Sequence, residues 1–290
     1  MKKYLALQTI VKYGSFSKAA DVLGYTQSAL SQTISSLEDE LGVKLLYRSR
    51  TGSTLTDEGK ELFPLIEKNI FQYNSVIEKA KDIRGLKTGI IRMGTVGSIS
   101  VNWLPSIIKK FQNNYPDVEF QISQGDYTLT EAWIKSGTID FGFVISDGKK
   151  NGLEIKRLKH DNFVAVLPEN HPLAQMNVVP LKLLAEEPFI ALDMGDFSLV
   201  EQAFREENLT PKAQYKLHDD YGILAMVEEG LGVSVLADMI THRTNFKIAK
   251  RPTDPPIYRN LSIGYKSKDN LSLSSIEFIN AIEEYVRNNG

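Results

Sequence analysis

The sequence predicts an α/β protein built in three parts: a helical head over residues 1–58, one long helix over residues 59–86, and an α/β region over residues 87–290. Three observations support this division. The head has apolar residues at helical spacing between glycines, the next segment contains no glycine from residue 60 to residue 84, and the remainder alternates short apolar runs with helical stretches. Hydrophobic residues make up 42% of the 290 residues, which is enough to give each part a core.

Three helices are predicted in the head, over residues 2–13, 17–23 and 27–41. A glycine directly follows each of them and marks its end, and Thr26 is a good N-cap for the third. A short helix, a turn that contains glycine, and a second helix with its own cap form the helix-turn-helix pattern. Downstream, Leu45 and Leu46 predict a strand and residues 51–53 a turn, which together predict a wing.

Charge is distributed unevenly along the chain. Residues 1–56 contain seven Lys or Arg against four acidic residues, a net charge of +3. Because the whole chain carries −2, the remaining residues carry −5. A basic head on an acidic body is typical of a protein in which only the head meets a polyanion.

The exposed side of the third predicted helix indicates which polyanion this is. Its first turns carry small hydroxyl and amide side chains, which can read base edges in the major groove of DNA. Each such residue alone is equally explained by a solvated polar surface, but the helix-turn-helix spacing and the wing together favour DNA binding. The candidate DNA contacts are Ser17, Thr26, Gln27, Ser28, Ser31, Gln32, Ser35, Arg48 and Arg50.

Residues 16–62, FSKAADVLGYTQSALSQTISSLEDELGVKLLYRSRTGSTLTDEGKEL, resemble the DNA-binding segment of LysR-type transcription regulators nearly residue for residue. The matching positions are Ser17, Ala19, Ala20, Leu23, Gln27, Ser28, Ser31, Ile34, Leu37, Glu38, Leu41, Gly42, Leu45, Arg48, Leu55, Thr56 and Gly59. The resemblance implies base reading by Gln27, Ser28, Ser31 and Gln32, and phosphate or minor-groove contact by Arg48 and Arg50. One departure is Gln32 followed by Thr33, where many members have Arg and then Gln; it concerns base preference rather than DNA binding.

The long helix carries an apolar stripe with spacings of three and four residues, formed by Phe63, Ile66, Ile70, Tyr73, Ile77 and Ala80. This is the spacing of a coiled-coil seam, but a helix packed on its own domain would show the same stripe. LysR-type regulators dimerise through a helix at this place, so the resemblance implies a homodimer, or a homotetramer, that presents paired heads to a two-fold DNA site. Pro64 predicts a kink, which is either a hinge or simply tolerated.

The C-terminal region predicts two α/β lobes, since two similar blocks alternate strands and helices, a pattern typical of parallel sheets. The fragments RMGTVGSIS, WLPSIIKKFQNNYPDVEF, GTIDFGFV and MVEEGLGVSVL resemble the effector-binding region of the same family. The resemblance implies the fold of periplasmic binding proteins, with lobe I over residues 87–161 and 267–290 and lobe II over residues 162–266. The chain is expected to cross out near residues 159–162 and to return near residues 258–266.

The family places its small-molecule effectors between the two lobes, and the resemblance points to Ser98, Ile99, Ser100, Thr128, Phe143 and Ile145. Predicted helix starts next to strand ends add Phe197 and Gly222, although hydroxyls at helix starts are also ordinary caps. Helix N-termini favour a carboxylate, but nearby aspartates would repel one: Asp126, Asp147, Asp193, Asp196, Asp219 and Asp220. These aspartates favour an amine-bearing or zwitterionic effector.

Composition and motifs weigh against other functions. With no cysteine, the chain has no disulfides, thiolate zinc sites or cysteine nucleophiles, and its four histidines show no metal-helix spacing. No G-x-S-x-G elbow or Gly-Lys-Ser/Thr phosphate loop occurs, so an enzyme is disfavoured and no cofactor is expected. A plain solute-binding protein would not explain the first sixty residues.

The sequence therefore predicts an allosteric, DNA-binding regulator. Its expected partners are double-stranded DNA, a small-molecule effector, further copies of itself and, as an additional candidate, RNA polymerase. No run of about 18 apolar residues and no signal-peptide pattern occurs, so we expect a soluble, cytoplasmic protein with no membrane partner.

Overall fold

The computed structural model of the protein describes residues 1–49, 52–83, 89–145, 152–194 and 198–289. The chain forms two compact units, one made by residues 1–86 and 135–138 and the other by residues 87–134 and 139–290. Within the described ranges, no helix combines the length and the apolar composition that are needed to span a bilayer.

The first unit confirms the predicted helix-turn-helix with a wing. Its elements are α1 (Lys2–Tyr13), α2 (Phe16–Leu23), α3 (Gln27–Leu41), β1 (Leu46–Ser49), β2 (Gly52–Leu55) and α4 (Asp57–Ile83), with β1 and β2 antiparallel. Gly42 ends α3 at φ 72°, in the left-handed region that L side chains rarely adopt. At the other end, the Thr26 hydroxyl accepts a hydrogen bond from the Ala29 N–H at 3.2 Å. Local signals therefore fix both ends of α3.

The first half of α4 belongs to the core of the head. The largest fully buried side chains of this core are Leu7, Ile10, Leu30, Ile34, Leu37 and Leu45. Ile66 and Ile70 of α4 are only 5% and 4% exposed and belong to this core, and Phe63 packs against it. The prediction that Ile66 and Ile70 form a dimer seam is therefore wrong, because the apolar surface of α1 to α3 needs a cover and these two residues supply it; for the half-buried Phe63 the seam stays a prediction.

The second half of α4 differs from the first. Tyr73 and Ile77 are 47% and 42% exposed, and Ala80 is exposed as well. Leu65 and Val76, at 56% and 66%, add to this apolar surface. The stripe seen in the sequence thus joins a covered half to an uncovered half, a change that spacing alone does not reveal.

The second unit begins with β3 (Gly89–Thr95), α5 (Gly97–Asn102), α6 (Leu104–Gln112), β4 (Val118–Gln124), α7 (Tyr127–Ser136), β5 (Phe141–Ile145) and β6 (Glu154–Pro168). It continues with β7 (Val179–Pro180), α8 (Leu181–Glu186), β8 (Pro188–Leu192), α9 (Leu199–Glu206), β9 (Lys212–Leu217), α10 (Asp220–Glu228), β10 (Ser234–Ala237), β11 (Ile248–Asp254), β12 (Tyr258–Tyr265) and α11 (Leu273–Asn289). Short 3-10 helices lie at Pro172–Gln175, Asp238–Arg243 and Lys268–Asn270.

The sheets are mixed rather than parallel throughout. The main sheet has the strand order β4-β3-β5-β12-β6-β11-β7, with β10 also paired to β6, and β8 and β9 form a separate parallel pair. Strand β3 is parallel to β4 and β5, whereas β12, β10 and β11 run antiparallel to β6. The expected parallel arrangement therefore does not hold at β6. This strand links the two lobes, and β10, β11 and β12 pair with it in the opposite direction.

Strand β6 divides the unit into two lobes. Its residues 154–162 pair with β12, and its residues 163–168 pair with β10 and β11. Residues 258–265 form β12, which also pairs with β5, so they belong to the first lobe. The chain returns between Ile257, which belongs to the second lobe's core, and Tyr258, at the start of the expected range 258–266; β12 itself lies in lobe I and not, as expected, in lobe II. Strand patterns do not specify which sheet accepts a strand.

Each lobe has its own apolar core. The first packs β3, β5 and β12 against α6 and α11, and its fully buried members include Phe141, Phe143 and Phe278. The second packs around the end of β6, with Leu167 and Phe204 among its buried residues. Because each lobe has a core of its own, the surface between the lobes is not needed for packing and can form a binding site.

Candidate functional site

The start of α3 presents a polar, accessible surface. Gln27, Ser28 and Gln32 are exposed, Ser31 and Ser35 are half-buried on the same helix, and Thr26 caps it. The Ser17 hydroxyl of α2 donates to the Gln27 side-chain oxygen at 3.0 Å. The structure thus brings together all the predicted α2 and α3 residues on one surface that a major groove could meet.

Arg48 is fixed beside this surface by two contacts. Its Nη1 donates to the Ser31 hydroxyl at 2.6 Å, and its guanidinium carbon lies 4.4 Å from the centre of the Phe16 ring. The side chain nevertheless stays exposed on β1. A positive charge is therefore held next to the reading surface, whereas Arg50 and the first residue of the expected wing turn lie outside the described residues.

Glu38 joins the end of α3 to the wing, a role that the sequence did not suggest. Its carboxylate, 3% exposed, accepts hydrogen bonds from the backbone N–H groups of Leu45 and Leu46 at 2.9 and 3.3 Å and from Lys44 Nζ at 2.8 Å. Burial alone would raise the pKa of Glu38, but these bonds outweigh burial and hold that pKa below its ordinary value of 4.5. The wing is thereby anchored to the reading helix.

Between the two lobes lies a cavity of about 450 Å³. Its apolar wall includes Val101, Leu129, Ile145, Phe189, Leu192 and Val235, which come from both lobes. Its polar wall includes Ser98, Tyr127, Asp220 and Arg259. A concave, mostly apolar site with a few polar groups is typical of a pocket for a small molecule.

The most buried charge at this cavity is Arg259 of β12, which is 4% exposed. Its Nε and Nη2 contact one carboxylate oxygen of Asp161 at 2.7 and 2.6 Å. Nη1 donates to the Tyr127 hydroxyl at 2.8 Å, and Nη2 donates to the Ser98 hydroxyl at 3.0 Å. Asp161 lies on β6 where the chain changes lobes, so this network ties the crossing to α5 and α7.

The acidic residues at the cavity differ in their partners. Asp193 lies 3.4 Å from Lys216 Nζ, and Asp219 accepts the backbone N–H groups of Tyr221 and Gly222. Asp220 differs from both, since its hydrogen bond is to its own backbone N–H and no described lysine or arginine forms an ion pair with it. Burial, together with the charge of Asp219, raises the pKa of Asp220 to about 6 even though Arg259 acts in the opposite direction.

The predicted effector residues are only partly brought together. Ser98 and Ile145 line the cavity. Ile99 and Phe143 are fully buried in the first lobe's core instead, because alternate positions on a strand and successive turns of a helix face opposite sides.

Ser100, Thr128 and Gly222 do not line the cavity. The Ser100 hydroxyl donates to the Val96 carbonyl at 3.1 Å, Thr128 is exposed to solvent, and the Gly222 N–H is used by Asp219. The Ser100 hydroxyl and the Gly222 N–H are therefore used in local hydrogen bonds, as is usual for residues at helix starts. Phe197 lies outside the described residues, as do Asp147 and Asp196.

Sequence reasoning missed Arg259, Asp161 and Tyr127. A signal for one of them was available: Arg259 precedes Leu261 and Ile263, fully buried residues at alternate positions of the same strand. A charge that continues an apolar face needs a buried partner. The partner itself could not be found, because Asp161 is 98 residues away along the chain. In the described part of the chain, no group of three or more His, Asp or Glu residues could hold a metal ion.

Comparison with known proteins identifies the family. Residues 1–60 match the model of bacterial regulatory helix-turn-helix proteins of the lysR family, and residues 84–287 match that of the LysR substrate binding domain. The chain belongs to the LysR family. It is 32% identical over 278 residues to the uncharacterized HTH-type transcriptional regulator YvbU of Bacillus subtilis, covering 95% of this chain and 94% of that relative.

Solved structures share the fold of this LysR-type protein. Full-length CbnR in complex with its target DNA has a TM-score of 0.69 at 16% identity and covers 100% of this chain and 99% of that chain. The effector binding domain of QuiR in complex with shikimate has a TM-score of 0.61 at 20% identity and covers 70% of this chain and 99% of that chain. The protein is thus a DNA-binding transcriptional regulator that responds to a small-molecule effector, and it is not an enzyme.

Proposed function

We propose that the head reads a two-fold promoter site through the exposed start of α3, with Gln27, Ser28 and Gln32 at base edges and Arg48 at a phosphate. The observation that supports this most directly is the contact of Arg48 with Ser31, which fixes a cation beside a surface of hydroxyl and amide groups. Ser17, Thr26 and Ser35 complete the proposed contact surface, and Arg50 remains a candidate from the sequence.

The regulator acts as a homodimer or a homotetramer in this proposal. The exposed apolar residues of α4, Tyr73, Ile77 and Ala80, together with Leu65 and Val76, form the proposed seam between two subunits. Paired heads then match the two-fold symmetry of the DNA site. Since the target is chromosomal DNA, the place of action is the cytoplasm, and RNA polymerase is a further proposed partner.

The effector binds in the cavity between the lobes, and its binding changes how the subunits pack. The head (residues 1–58), the linking helix (59–86) and the effector-binding domain (87–290) therefore have separate roles, with β12 assigned to the first lobe. Closure of the cavity alters the spacing or bend of the DNA that paired heads hold. Both the free and the bound regulator remain on DNA.

Two substitutions test the proposed DNA contact. Arg48→Ala should weaken binding to all DNA sequences and lower the slope of log affinity against log salt by about one. Lys110→Ala, at an exposed lysine of the second unit, is the matched control and should leave both quantities unchanged. Fluorescence anisotropy over a salt series measures both; an unchanged slope in the Arg48 variant would contradict the proposed phosphate contact.

A second pair tests the cavity. Leu129 lines it and is 46% exposed, so Leu129→Trp narrows the cavity without breaking the Arg259 network. Its neighbour Thr128 is exposed and lies outside the cavity lining, which makes Thr128→Trp the control. With a pooled small-molecule extract, the control should retain the thermal shift of the unmodified protein, and Leu129→Trp should lose it while DNA affinity persists. Retention of the shift by both variants would exclude this cavity.

A further inference from the structure

We propose that the effector is an organic amine with an apolar body and no carboxylate, and that Asp220 is the counter-ion of its ammonium group. The inference rests on the proposed function in one respect, that the cavity between the lobes is the effector site. Three features of the cavity lining support it: a cation that is already neutralised, a carboxylate that is not, and an apolar wall.

The cation is Arg259, the one Lys or Arg among the described residues that line the cavity. A guanidinium has five N–H donors, and hydrogen bonds to Asp161, Tyr127 and Ser98 engage three of them, while Nη2 also lies 2.6 Å from the Asp161 carboxylate. Its charge is balanced by a carboxylate with which it shares two short contacts. A carboxylate ligand would therefore have to compete with Asp161, which is 7% exposed and cannot move away into water.

The unbalanced carboxylate is Asp220. Its hydrogen bond is to its own backbone N–H, and no described lysine or arginine forms an ion pair with it. A Cβ placed on Gly97, in the first lobe, would lie 3.4 Å from its Oδ2. The carboxylate of a second-lobe helix thus lies next to the first lobe, and because both residues line the cavity, a ligand held by both lobes would meet it there.

The other acidic liners reinforce the sign of the potential. Asp126, Asp193, Asp219 and Glu201 line the same cavity together with His218, so the described lining holds five carboxylates against one guanidinium, although Lys216 and Arg205 outside the lining pair with Asp193 and Glu201. Charges that share a cleft act together on an ion that enters it, and they favour a cation over an anion. QuiR, which has a similar fold and was solved with shikimate, a carboxylic acid, need not share this preference.

A buried hydroxyl and several apolar side chains in the lining indicate what else the ligand contacts. The Tyr221 hydroxyl, on a residue that lines the cavity, is buried without a hydrogen-bond partner in the described part of the chain. Such a group is costly to leave unsatisfied, and an ammonium N–H is a suitable donor to its oxygen. Leu129, Ile145 and Phe189 supply apolar surface for a hydrocarbon body.

The test uses the full-length protein and probes matched in size. Hexylamine, hexanol and hexanoate form one series, and phenethylamine with 3-phenylpropionate forms another; calorimetric titration at constant ionic strength gives each affinity. We expect both amines to bind, hexanol to bind more weakly, and the carboxylates to bind weakest. Asp220→Asn should weaken amine binding about ten- to a hundredfold and leave hexanol unchanged. Glu284→Gln, at an exposed carboxylate outside the cavity lining, is the control and should bind the amines like the unmodified protein.

A pH series sharpens the test. The charged and titratable groups that act on Asp220 or respond to its charge are Asp219 at the N-cap of α10, Tyr221 on α10, Arg259 on β12 and Tyr127 on α7. Since the pKa of Asp220 is about 6, amine affinity should fall as the pH drops through 6, and Asp220→Asn should remove this dependence.

Several outcomes overturn the inference: tighter binding of either carboxylate than of its matched amine, no binding of any amine, or equal amine affinity in Asp220→Asn. Leu129→Trp separates this failure from failure of the proposed function. If a carboxylate binds and Leu129→Trp abolishes its binding, the cavity remains the effector site and only the amine class is wrong. If Leu129→Trp has no effect on any bound probe, the site itself is wrong.

Discussion

The reading surface on α3 and the cavity between the lobes are built in opposite ways. On α3 the hydrogen bonds are local: Ser17 and Gln27 are 10 residues apart, and Ser31 and Arg48 are 17 apart. In the cavity, Arg259 meets partners 98, 132 and 161 residues away. The first surface is open and shaped by helix ends, whereas the second exists only when distant segments pack. A DNA-binding head can therefore be predicted from a short stretch of sequence, whereas the contacts of an effector site cannot.

The two tryptophans make the comparison testable region by region. Trp103 and Trp133 both belong to the second unit, and the chain has no others. Tryptophan fluorescence therefore reports unfolding of the second unit alone, while far-UV circular dichroism reports both units. Substitutions in either region should separate the two signals.

The largest effect is expected for Arg259→Ala. Removal of the guanidinium leaves Asp161 buried without its partner, which costs about 3–5 kcal/mol of unfolding free energy. The fluorescence-detected midpoint in urea should fall accordingly. Lys110→Ala, which removes an exposed ion pair with Glu284, is the control and should leave this midpoint nearly unchanged. Equal midpoints for both variants would mean that the buried network does not hold the second unit together.

A smaller effect, confined to the head, is expected for Gly59→Ala. The added Cβ would overlap the carbonyl oxygen of Leu45, so α4 must shift away from the wing at a cost of about 1–3 kcal/mol. The transition seen by circular dichroism should move while the fluorescence transition stays. Lys60→Ala, at the exposed neighbouring position, should move neither. A shift of the fluorescence transition in Gly59→Ala would contradict the separation of the two regions.

The smallest effect is expected for Glu38→Gln, about 1 kcal/mol at neutral pH. The folded pKa of Glu38 lies below its ordinary value of 4.5 because hydrogen bonds to the carboxylate outweigh burial. Its contribution is therefore present above that ordinary value and is lost as the pH falls through the folded pKa. The circular-dichroism midpoints of the two proteins should differ at neutral pH and converge in acid. A constant difference at all pH values would indicate a packing effect rather than a charge effect.

Particular elements show how much of the fold the sequence predicts. The bounds of α3 were predicted to the residue because Thr26 and Gly42 act on their immediate neighbours. Strand β11 was not predicted, since Lys250, Arg251 and Pro252 interrupt any strand pattern, and only its pairing with β6 makes it a strand. The stripe on α4 was correctly seen but wrongly assigned in its first half, where Ile66 and Ile70 cover the head.

The candidate site divides in the same way. The family resemblance predicts Ser98 as an effector contact, but the sequence does not show that its hydroxyl accepts a hydrogen bond from Arg259. The sequence indicates a group of aspartates near strand ends, yet only the packed structure distinguishes Asp220 from the paired Asp193 and the capping Asp219. Proximity of strand ends is predictable, whereas the pairing of charges across lobes depends on contacts between distant segments.

The central claim is that the exposed start of α3 recognises a specific duplex, and one measurement tests it most directly. The purified full-length protein is mixed with sheared chromosomal DNA of its source and with random duplex, at low ionic strength and with pooled metabolites present, and the retained fragments are sequenced. The account predicts strong enrichment of a few fragments that carry a two-fold site, and loss of this enrichment in a variant with Gln27, Ser28 and Gln32 changed to Ala. Retention of chromosomal and random duplex in equal proportion would contradict it.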